Sequence, residues 1–521
     1  AQDLKIAQEA NKYGLKILLD FHYSDFWADP AQQILPKAWK GHSQDQLEQD
    51  VYNFTTDTLK KFKDAGSDIG MVQIGNEITN GIMGQTTNRD AGESYKGVWL
   101  NADKRNKVIR YLRSASKAVR AEDKDTLITV HIETPEIPKY NDILSALKDG
   151  HVDYDVLGSS YYPFWSVDAK SNTPDTLNKV ASLAEEKYGK LFAVMETAWV
   201  NSLKNGDSTP NSIGESQNNW NNTKAFSVGP QGQVDELESL YNNLMSHSNG
   251  LGAFYWEPAW IPTVAGWRNG EKDKENAENF GSGWASSGAV GYFPNNKLYY
   301  LGKPAWGGSS RDNQALFDIE GHPLQSLKFY KDAGNENKEQ LTRLEFVNQD
   351  NDIVKTVFNK TEVGKEVNIS YPAIDGYKIS DDSRSYNTQA TDDGIKTVQI
   401  KVVKDNPNKN NNNNKNNNNK QDTQSIYRMY NRNAGQHHYT GSLFESQSLR
   451  KAGWSYEGIG WISPNKGANV YRVYNPNSGE HLYTSSAFEK NSIVKLGWKY
   501  EGVSWHSGGK IPVYRLFNPK A

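Results

Sequence analysis

The chain has 521 residues, a net charge of -3 and no cysteine. A chain this long is expected to form several domains. Its near-neutral charge gives no support for nucleic-acid binding. Disulfides and thiolate metal sites are ruled out, and no apolar run reaches the roughly 18 residues of a membrane-spanning helix.

From the start to about residue 330, short apolar runs alternate with amphipathic segments. The runs are 15–21, 69–75, 127–132, 156–162, 191–197 and 252–258. Each is nearly continuous in Val, Ile, Leu and aromatics, as in parallel strands buried on both faces. Segments 47–65, 104–121 and 176–188 carry helical periodicity between them. Strand–helix alternation over this length predicts a parallel α/β barrel, whose active site lies where its strands end. Polar and aromatic residues gather at those ends: His22-Tyr23, Asn76-Glu77, His131, Tyr161-Tyr162, Glu196 and Trp256-Glu257. Six strands are visible where a closed barrel needs eight, and residue 1 already sits in a helix leading to a strand. The expectation is a (β/α)8 TIM barrel lacking its first two β-α units, with the missing segment also accounting for the lack of a visible signal peptide.

Two glutamates close two of these runs, in Val72-Gln73-Ile74-Gly75-Asn76-Glu77 and Phe192-Ala193-Val194-Met195-Glu196-Thr197. A retaining glycosidase needs two carboxyls about 5 Å apart, one to protonate the leaving oxygen and one to attack the sugar carbon. An Asn beside the acid can hold the sugar 2-OH. Aromatics make up 12% of the chain, with 15 Trp and 28 Tyr. That suits stacking on sugar rings, and equally an aromatic core.

Residues 340–404 change character. Leu344-Glu345-Phe346-Val347 and Thr397-Val398-Gln399-Ile400-Lys401-Val402-Val403 alternate like strands, with turn clusters at Asp381-Asp382-Ser383 and Asp392-Asp393-Gly394. A small all-β module is expected there. Residues 405–424 form a linker whose Asn/Lys tract cannot bury a core. Residues 425–521 repeat: Tyr427-Arg428-Met429-Tyr430-Asn431 matches Tyr471-Arg472-Val473-Tyr474-Asn475 and Tyr514-Arg515-Leu516-Phe517-Asn518. His437 pairs with His481, Tyr439 with Tyr483, Trp454 with Trp498 and Trp461 with Trp505. Aromatics at fixed repeat positions form each unit's core or a sugar-stacking surface.

The string Asp20-Phe21-His22-Tyr23-Ser24-Asp25-Phe26-Trp27-Ala28-Asp29-Pro30, followed by Gln33, Pro36 and Trp39, resembles glycoside hydrolase family 53, the arabinogalactan endo-β-1,4-galactanases. Gln73-Ile74-Gly75-Asn76-Glu77-Ile78-Thr79-Asn80-Gly81, Ser160-Tyr161-Tyr162-Pro163-Phe164-Trp165 and Glu196-Thr197-Ala198-Trp199 extend the match. So do Gly281-Ser282-Gly283-Trp284-Ala285 and Asp312-Asn313-Gln314-Ala315-Leu316-Phe317-Asp318. The resemblance implies a TIM barrel over residues 1–332 that cleaves internal β-1,4-galactosidic bonds with retention. It implies Glu77 as acid/base and Glu196 as nucleophile. Asn76, His22, His131, Tyr161, Tyr162, Trp199 and Trp256 become substrate-binding candidates, with Tyr161 or Tyr162 on the nucleophile. No cofactor is required. Bacterial members often hold calcium after the nucleophile strand, which makes Asn205, Asp207 and Asn211 candidate ligands for a structural calcium.

Residues 340–404 resemble MucBP-type modules of Gram-positive surface proteins. The terminal repeats resemble modules appended to exported hydrolases of lactic acid bacteria. Both imply a secreted or surface-associated protein, with a cell-surface glycan as a candidate partner beside the galactan substrate. The alternatives are another retaining endoglycanase of the same clan, or a non-catalytic glycan-binding adhesin.

Overall fold

The computed structural model describes residues 2–88, 91–165, 171–207, 211–214, 225–262, 271–280, 299–300, 303–304, 308–333, 338–381, 383–391, 394–405, 423–442, 445–446, 449–450, 452–464 and 467–508. The motif at 281–285, the Asn/Lys tract and the third repeat copy lie outside the described residues.

All six apolar runs are strands. They are β1 (Ile17–Phe21), β2 (Ile69–Ile74), β3 (Leu127–Ile132), β4 (Val156–Ser160), β5 (Leu191–Thr197) and β6 (Gly250–Tyr255). They form one sheet in sequence order, and every neighbouring pair is parallel. Helices α1 (Gln2–Lys12), α2 (Gln44–Asp64), α3 (Ala102–Glu122), α4 (Ile137–Asp149), α5 (Pro174–Tyr188) and α6 (Pro230–Met245) alternate with the strands. This is the half-barrel sheet of a TIM-type fold, with six strands among the described residues.

Helix starts are written in the sequence. Ser43 and Gln46 form a capping box on α2, Asn101 caps α3, and Thr173 with Pro174 opens α5. Each side-chain cap satisfies a backbone N–H that the helix cannot, worth about 1 kcal/mol.

Alternation along the strands divides the core in two. Val72, Ile74, Ile128, Val130, Leu157, Phe192 and Val194 pack with Leu112, Leu144, Val180 and Leu240 of the helices. Leu127, Val156, Leu191, Ala193 and Met195 form a second cluster. Gly158 is needed there, because a Cβ on it would sit 2.4 Å from Met195 Cγ.

The all-β module belongs to the same compact unit, Ala1–Pro407. Its strands are β7 (Glu339–Val347), β8 (Ile353–Glu362), β9 (Glu366–Ser370), β10 (Tyr377–Ile379), β11 (Ser385–Gln389) and β12 (Ile395–Lys404). One sheet runs β8-β7-β12-β10, and β9 pairs with β11. Leu344, Phe346, Val367, Ile369 and Val402 form its core. Leu341, Phe358 and Ile395 pack against Leu127, Val156 and Leu191 at the starts of β3, β4 and β5. Lys360 Nζ donates to Gly250 O at 2.7 Å. The module thus covers the N-terminal end of the barrel sheet.

The described residues of the second unit, Asn408–Ala521, form two three-stranded sheets. β13 (Thr423–Asn431) pairs with β14 (Gln436–Thr440) and β15 (Ser455–Pro464). β16 (Ala468–Tyr474) pairs likewise with β17 (His481–Thr484) and β18 (Lys499–Ser507). Four of the repeated aromatics are core: Tyr439, Trp461 and Tyr483 pack with Ile426, Val470 and Trp505. Arg428–Glu457 and Arg472–Glu501 are equivalent 2.8 Å ion pairs.

Candidate active site

The C-terminal strand ends carry both the strain and the chemistry. Tyr23, Glu77, Thr134 and Glu257 have φ of 48°, 44°, 45° and 48°, each just beyond β1, β2, β3 or β6. Left-handed backbone at non-glycine residues is costly and concentrates at functional sites. Gly75, at φ 103°, lets the chain leave β2 this way; a Cβ there would meet Ile78 and Ile82 at 2.7 and 2.8 Å.

Glu196 reaches the site through an irregularity in β5. Ser159 pairs with Val194, but Ser160 pairs with Glu196, so Met195 is an extra residue. Strict alternation would send Glu196 the way of Val194, toward the helices. The bulge re-aims it, as bulges beside active sites do.

The two glutamates meet. A carboxylate oxygen of Glu77, one of Glu196 and a ring nitrogen of His131 all lie within 4.8 Å of one another. Both carboxyls are pushed up. For Glu77 burial is the main cause, followed by the charge of Glu196, and its pKa lies well above the usual range. Burial also lifts Glu196, to about 7, while a hydrogen bond from Tyr162 and the charges of Arg311 and His22 pull it back. The hydrogen bond from Tyr162 and the charge of Arg311 favour the anion at Glu196, which suits Glu77 to carry the proton of the pair.

The other candidates divide. Tyr162 Oη donates to Glu196 Oε2 at 2.7 Å. Tyr161 does not contact that carboxylate through its hydroxyl; it is buried in the barrel core, and its backbone N–H donates to Glu196 O at 2.8 Å. Asn76 Nδ2 donates to Ala28 O at 2.8 Å, which leaves its second N–H for a sugar hydroxyl. His22 accepts the Ala28 N–H on Nδ1 at 2.7 Å and lies 3.0 Å from Asp20 through Nε2. Burial alone would lower its pKa, but Asp20, Glu196 and Asp29 more than offset that and raise it. Trp256 is half-buried, its ring 5.4 Å from that of Trp260.

Two candidates are fully buried. Trp199 is fully buried, with Nε1 donating to Ser227 O at 2.8 Å, so it is core. His131 is also fully buried, with Nδ1 2.9 Å from Asn76 Oδ1 and Nε2 2.8 Å from Ser160 Oγ. It stands behind Asn76 and Glu77.

Sequence reasoning gave no role to two residues beside the carboxyl pair. Ser160 Oγ lies 2.5 Å from Glu77 Oε1. Arg311 has its guanidinium 5.1 Å from the Trp256 ring and 5.9 Å from those of Tyr162 and Trp165. Arg311 directly precedes the Asp312–Asp318 string. That segment is tied to the loop after β5: Asn313 Nδ2 donates to Ser202 O and Ile213 O at 2.8 and 2.7 Å. A cation held by aromatic faces and close enough to lower Glu196 belongs to the site. The only signal for it was its place beside that string.

The candidate calcium loop is partly described, since residues 208–210 lie outside. Asp207 Oδ2 accepts from Ser309 N at 2.7 Å, and Asn211 Nδ2 donates to Lys204 O at 2.9 Å. A carboxylate not among the expected ligands joins them: Asp312 Oδ2 accepts from Gly206 N at 3.0 Å. Burial lifts Asp312 to about 6, with Asn211 opposing and the Asp207 charge adding. Two neighbouring carboxylates, one raised by burial, fit an oxygen-seeking cation such as calcium.

Residues 425–521 match the model of a domain of unknown function, DUF5648. The chain is 39% identical over 335 residues to the endo-beta-1,4-galactanase of Bacillus subtilis (strain 168), covering 63% of this chain and 70% of that protein. It is 34% identical over 261 residues to the arabinogalactan endo-beta-1,4-galactanase of Cellvibrio japonicus, covering 50% and 65%. Among solved structures, an Ignisphaera aggregans GH53 catalytic domain aligns with a TM-score of 0.49 at 28% identity, over 63% of this chain and 76% of that one. Residues 1–330 match the model of glycosyl hydrolase family 53, well over half the chain, and the chain belongs to that family.

Proposed function

We propose that the protein is a retaining endo-β-1,4-galactanase that cleaves internal galactosidic bonds of arabinogalactan outside the cell. The observation that carries this reading is the carboxyl pair within 4.8 Å, with Tyr162 donating to Glu196 at 2.7 Å. An inverting enzyme needs its carboxyls about 6.5–9.5 Å apart to admit a water. Membership of the family and the names of its relatives support galactan as substrate.

In the first step Glu196 attacks the anomeric carbon, the bond to the leaving O4 breaks, and Glu77 gives that oxygen its proton. Tyr162 and Arg311 keep Glu196 ionised for the attack. In the resulting ester Glu196 carries no charge, so Glu77 stays ionised and takes a proton from the water that attacks the same carbon. That returns the sugar with its configuration retained. Asn76 steadies the 2-OH, while Trp256 and Arg311 face the sugar beside Glu196.

Galactan from potato or lupin should yield galacto-oligosaccharides whose new reducing ends appear first as the β-anomer by proton NMR. Release from glucan or mannan but not galactan would replace the substrate. An α-anomer appearing first would replace the mechanism.

Two finer readings accompany this one. We take Asp207, Asp312 and Asn211 as holders of a structural calcium; chelation should lower the melting temperature and calcium should restore it. The exposed Tyr456 and Tyr500 occupy equivalent repeat positions, with Arg450 and Lys490 at 5.6 and 4.7 Å from the rings. They are the faces through which the C-terminal repeats would hold a cell-surface glycan.

A further inference from the structure

The buried polar groups behind Glu77 form one chain, and its hydrogen positions follow by elimination. Ala28 O can only accept, so the Asn76 group 2.8 Å from it is the amide nitrogen. Asn76 Oδ1 therefore points the other way, where Gln73 Nε2 donates to it at 3.0 Å. The same oxygen lies 2.9 Å from His131 Nδ1. Two atoms that both only accept would repel at that distance, so Nδ1 carries a proton. The Glu77 N–H is 3.4 Å from Nδ1, at the long limit of a hydrogen bond, and the shorter contact decides.

His131 is fully buried, which lowers its pKa to about 4 and keeps it neutral near pH 7. A neutral ring protonated on Nδ1 has a bare Nε2 that must accept. Its partner at 2.8 Å is Ser160 Oγ. Ser160 has one hydrogen and spends it there. Its lone pair then faces Glu77 Oε1 at 2.5 Å, within the range of an O–H···O bond, and because the Ser160 hydrogen is already spent the acid is the donor.

We propose that His131, acting through Ser160, holds the proton on Glu77. This rests on the reading of Glu77 as the acid, and both residues are positioning residues that do not touch substrate. When Glu77 is neutral, every link is satisfied: Glu77 donates to Ser160, Ser160 to His131, and His131 to Asn76. When Glu77 ionises, Ser160 must turn its hydrogen to the carboxylate, and His131 Nε2 is left buried without a donor. The chain therefore favours the neutral acid, and it also fixes Asn76 so that an N–H faces the substrate. Had Ser160 been a donor to the carboxylate in the resting enzyme, it would stabilise the anion instead.

Other groups act on the same carboxyl. Glu196 from β5, Glu133 from beyond β3 and Asp29 from the segment after β1 all raise it, and Tyr140 of α4 and Tyr162 stand in its field as neutral phenols. None of them distinguishes the two orientations of the Ser160 hydroxyl. His131 does.

The test uses the full chain. In wild-type protein carrying 15N-histidine, with His131 assigned by a His131→Leu spectrum, the Nδ1 signal should be that of a protonated nitrogen and Nε2 that of a bare one. A protonated Nε2 overturns the proposal. His131→Leu removes the acceptor that draws the Ser160 hydrogen away. Glu77, followed by 13C-carboxyl NMR, should then titrate about half to one pH unit lower, the worth of one ordinary hydrogen bond. The alkaline limb of kcat/KM on galactan should move with it. His131→Gln, whose carbonyl can stand where Nε2 stood, should recover much of the shift. An unmoved or raised Glu77 titration in His131→Leu overturns the proposal. If the wild type fails to hydrolyse galactan, the functional reading falls, yet the nitrogen spectrum and the Glu77 titration still judge the chain.

Discussion

The two ends of the barrel sheet both bury charge, and they do so in opposite ways. At the C-terminal end Glu77 and Glu196 face each other with like sign, and both are forced upward in pKa. At the N-terminal end Arg343, fully buried, is 3.2 Å from both Asp155 and Glu345 and also donates to Lys124 O. Arg120 lies 2.7 Å from Asp155 and 2.8 Å from Asp153. There every charge has an opposite partner. Paired buried charge holds elements together and costs dearly to break. Unpaired like charge is unstable at rest and becomes useful when a reaction redistributes it. The same strands thus carry a structural cluster at one end and a chemical one at the other.

The largest expected effects come from breaking the chemical end. Glu196→Gln removes the attacking oxygen anion and should cost about 10³-fold or more in kcat, with the melting temperature held or raised, because a raised carboxyl is relieved. Glu77→Gln should cost about 10²- to 10⁴-fold on galactan, the usual worth of a general acid. It should lose far less on an aryl galactoside whose leaving group needs no proton. Equal losses on both substrates would contradict the division of roles.

Breaking the structural end should do the reverse. Arg343→Met strands Glu345 and half of the Asp155 pairing in a buried site, and should cost about 3–5 kcal/mol of stability in urea titration. Activity per folded molecule should hold. Loss of kcat without loss of stability would mean that the module shapes the site. A smaller effect is expected from Tyr162→Phe, which removes the 2.7 Å donor to Glu196. The acid limb of kcat/KM should move to higher pH, because Glu196 then ionises later, and kcat should fall by roughly 10-fold.

These contrasts were only half legible in the sequence. The six strands and the glutamate pair were readable because buried parallel strands are continuous apolar runs and because Asn76-Glu77 and Glu196 close two of them. What alternation cannot show is the extra residue at Met195, and without it Glu196 reads as facing the helices. Adjacent tyrosines are indistinguishable by pattern, so only coordinates separate Tyr162 on the carboxylate from Tyr161 in the core. Trp199 looks like a sugar platform because it follows the nucleophile, yet its indole is buried. Ser160, Arg311, Asp312 and Arg343 act on partners far away in sequence, and no local pattern announces such a meeting.

Glu236 of α6 tests where the boundary between the two kinds of cluster lies. It is fully buried, Thr197 Oγ1 donates to its Oε1 at 2.7 Å, and its Oε2 has no hydrogen-bond partner among the described residues. Burial raises its pKa to about 8, with the Thr197 bond opposing. An ordinary glutamate in the unfolded chain titrates near 4.3. Its folded value is the higher one, so its contribution to stability is complete below about pH 4.3 and is lost as pH rises through about 8. Asp153 has the opposite sign. Burial would raise it, but the charge and hydrogen bonds of Arg120 more than offset that and lower it. Its contribution is complete above the unfolded value near 3.9 and is lost as pH falls through the folded one. Glu236→Gln should match wild type near pH 5 and gain on it toward pH 8, by at most roughly 1.4 kcal/mol per pH unit. Asp153→Asn should instead lose to wild type near neutral pH and converge with it in acid. Urea titrations of both variants at pH 3.5, 5 and 8 read the two slopes directly. A Glu236→Gln curve parallel to wild type would mean that this carboxyl is ionised and paired, and that it belongs with the structural cluster after all.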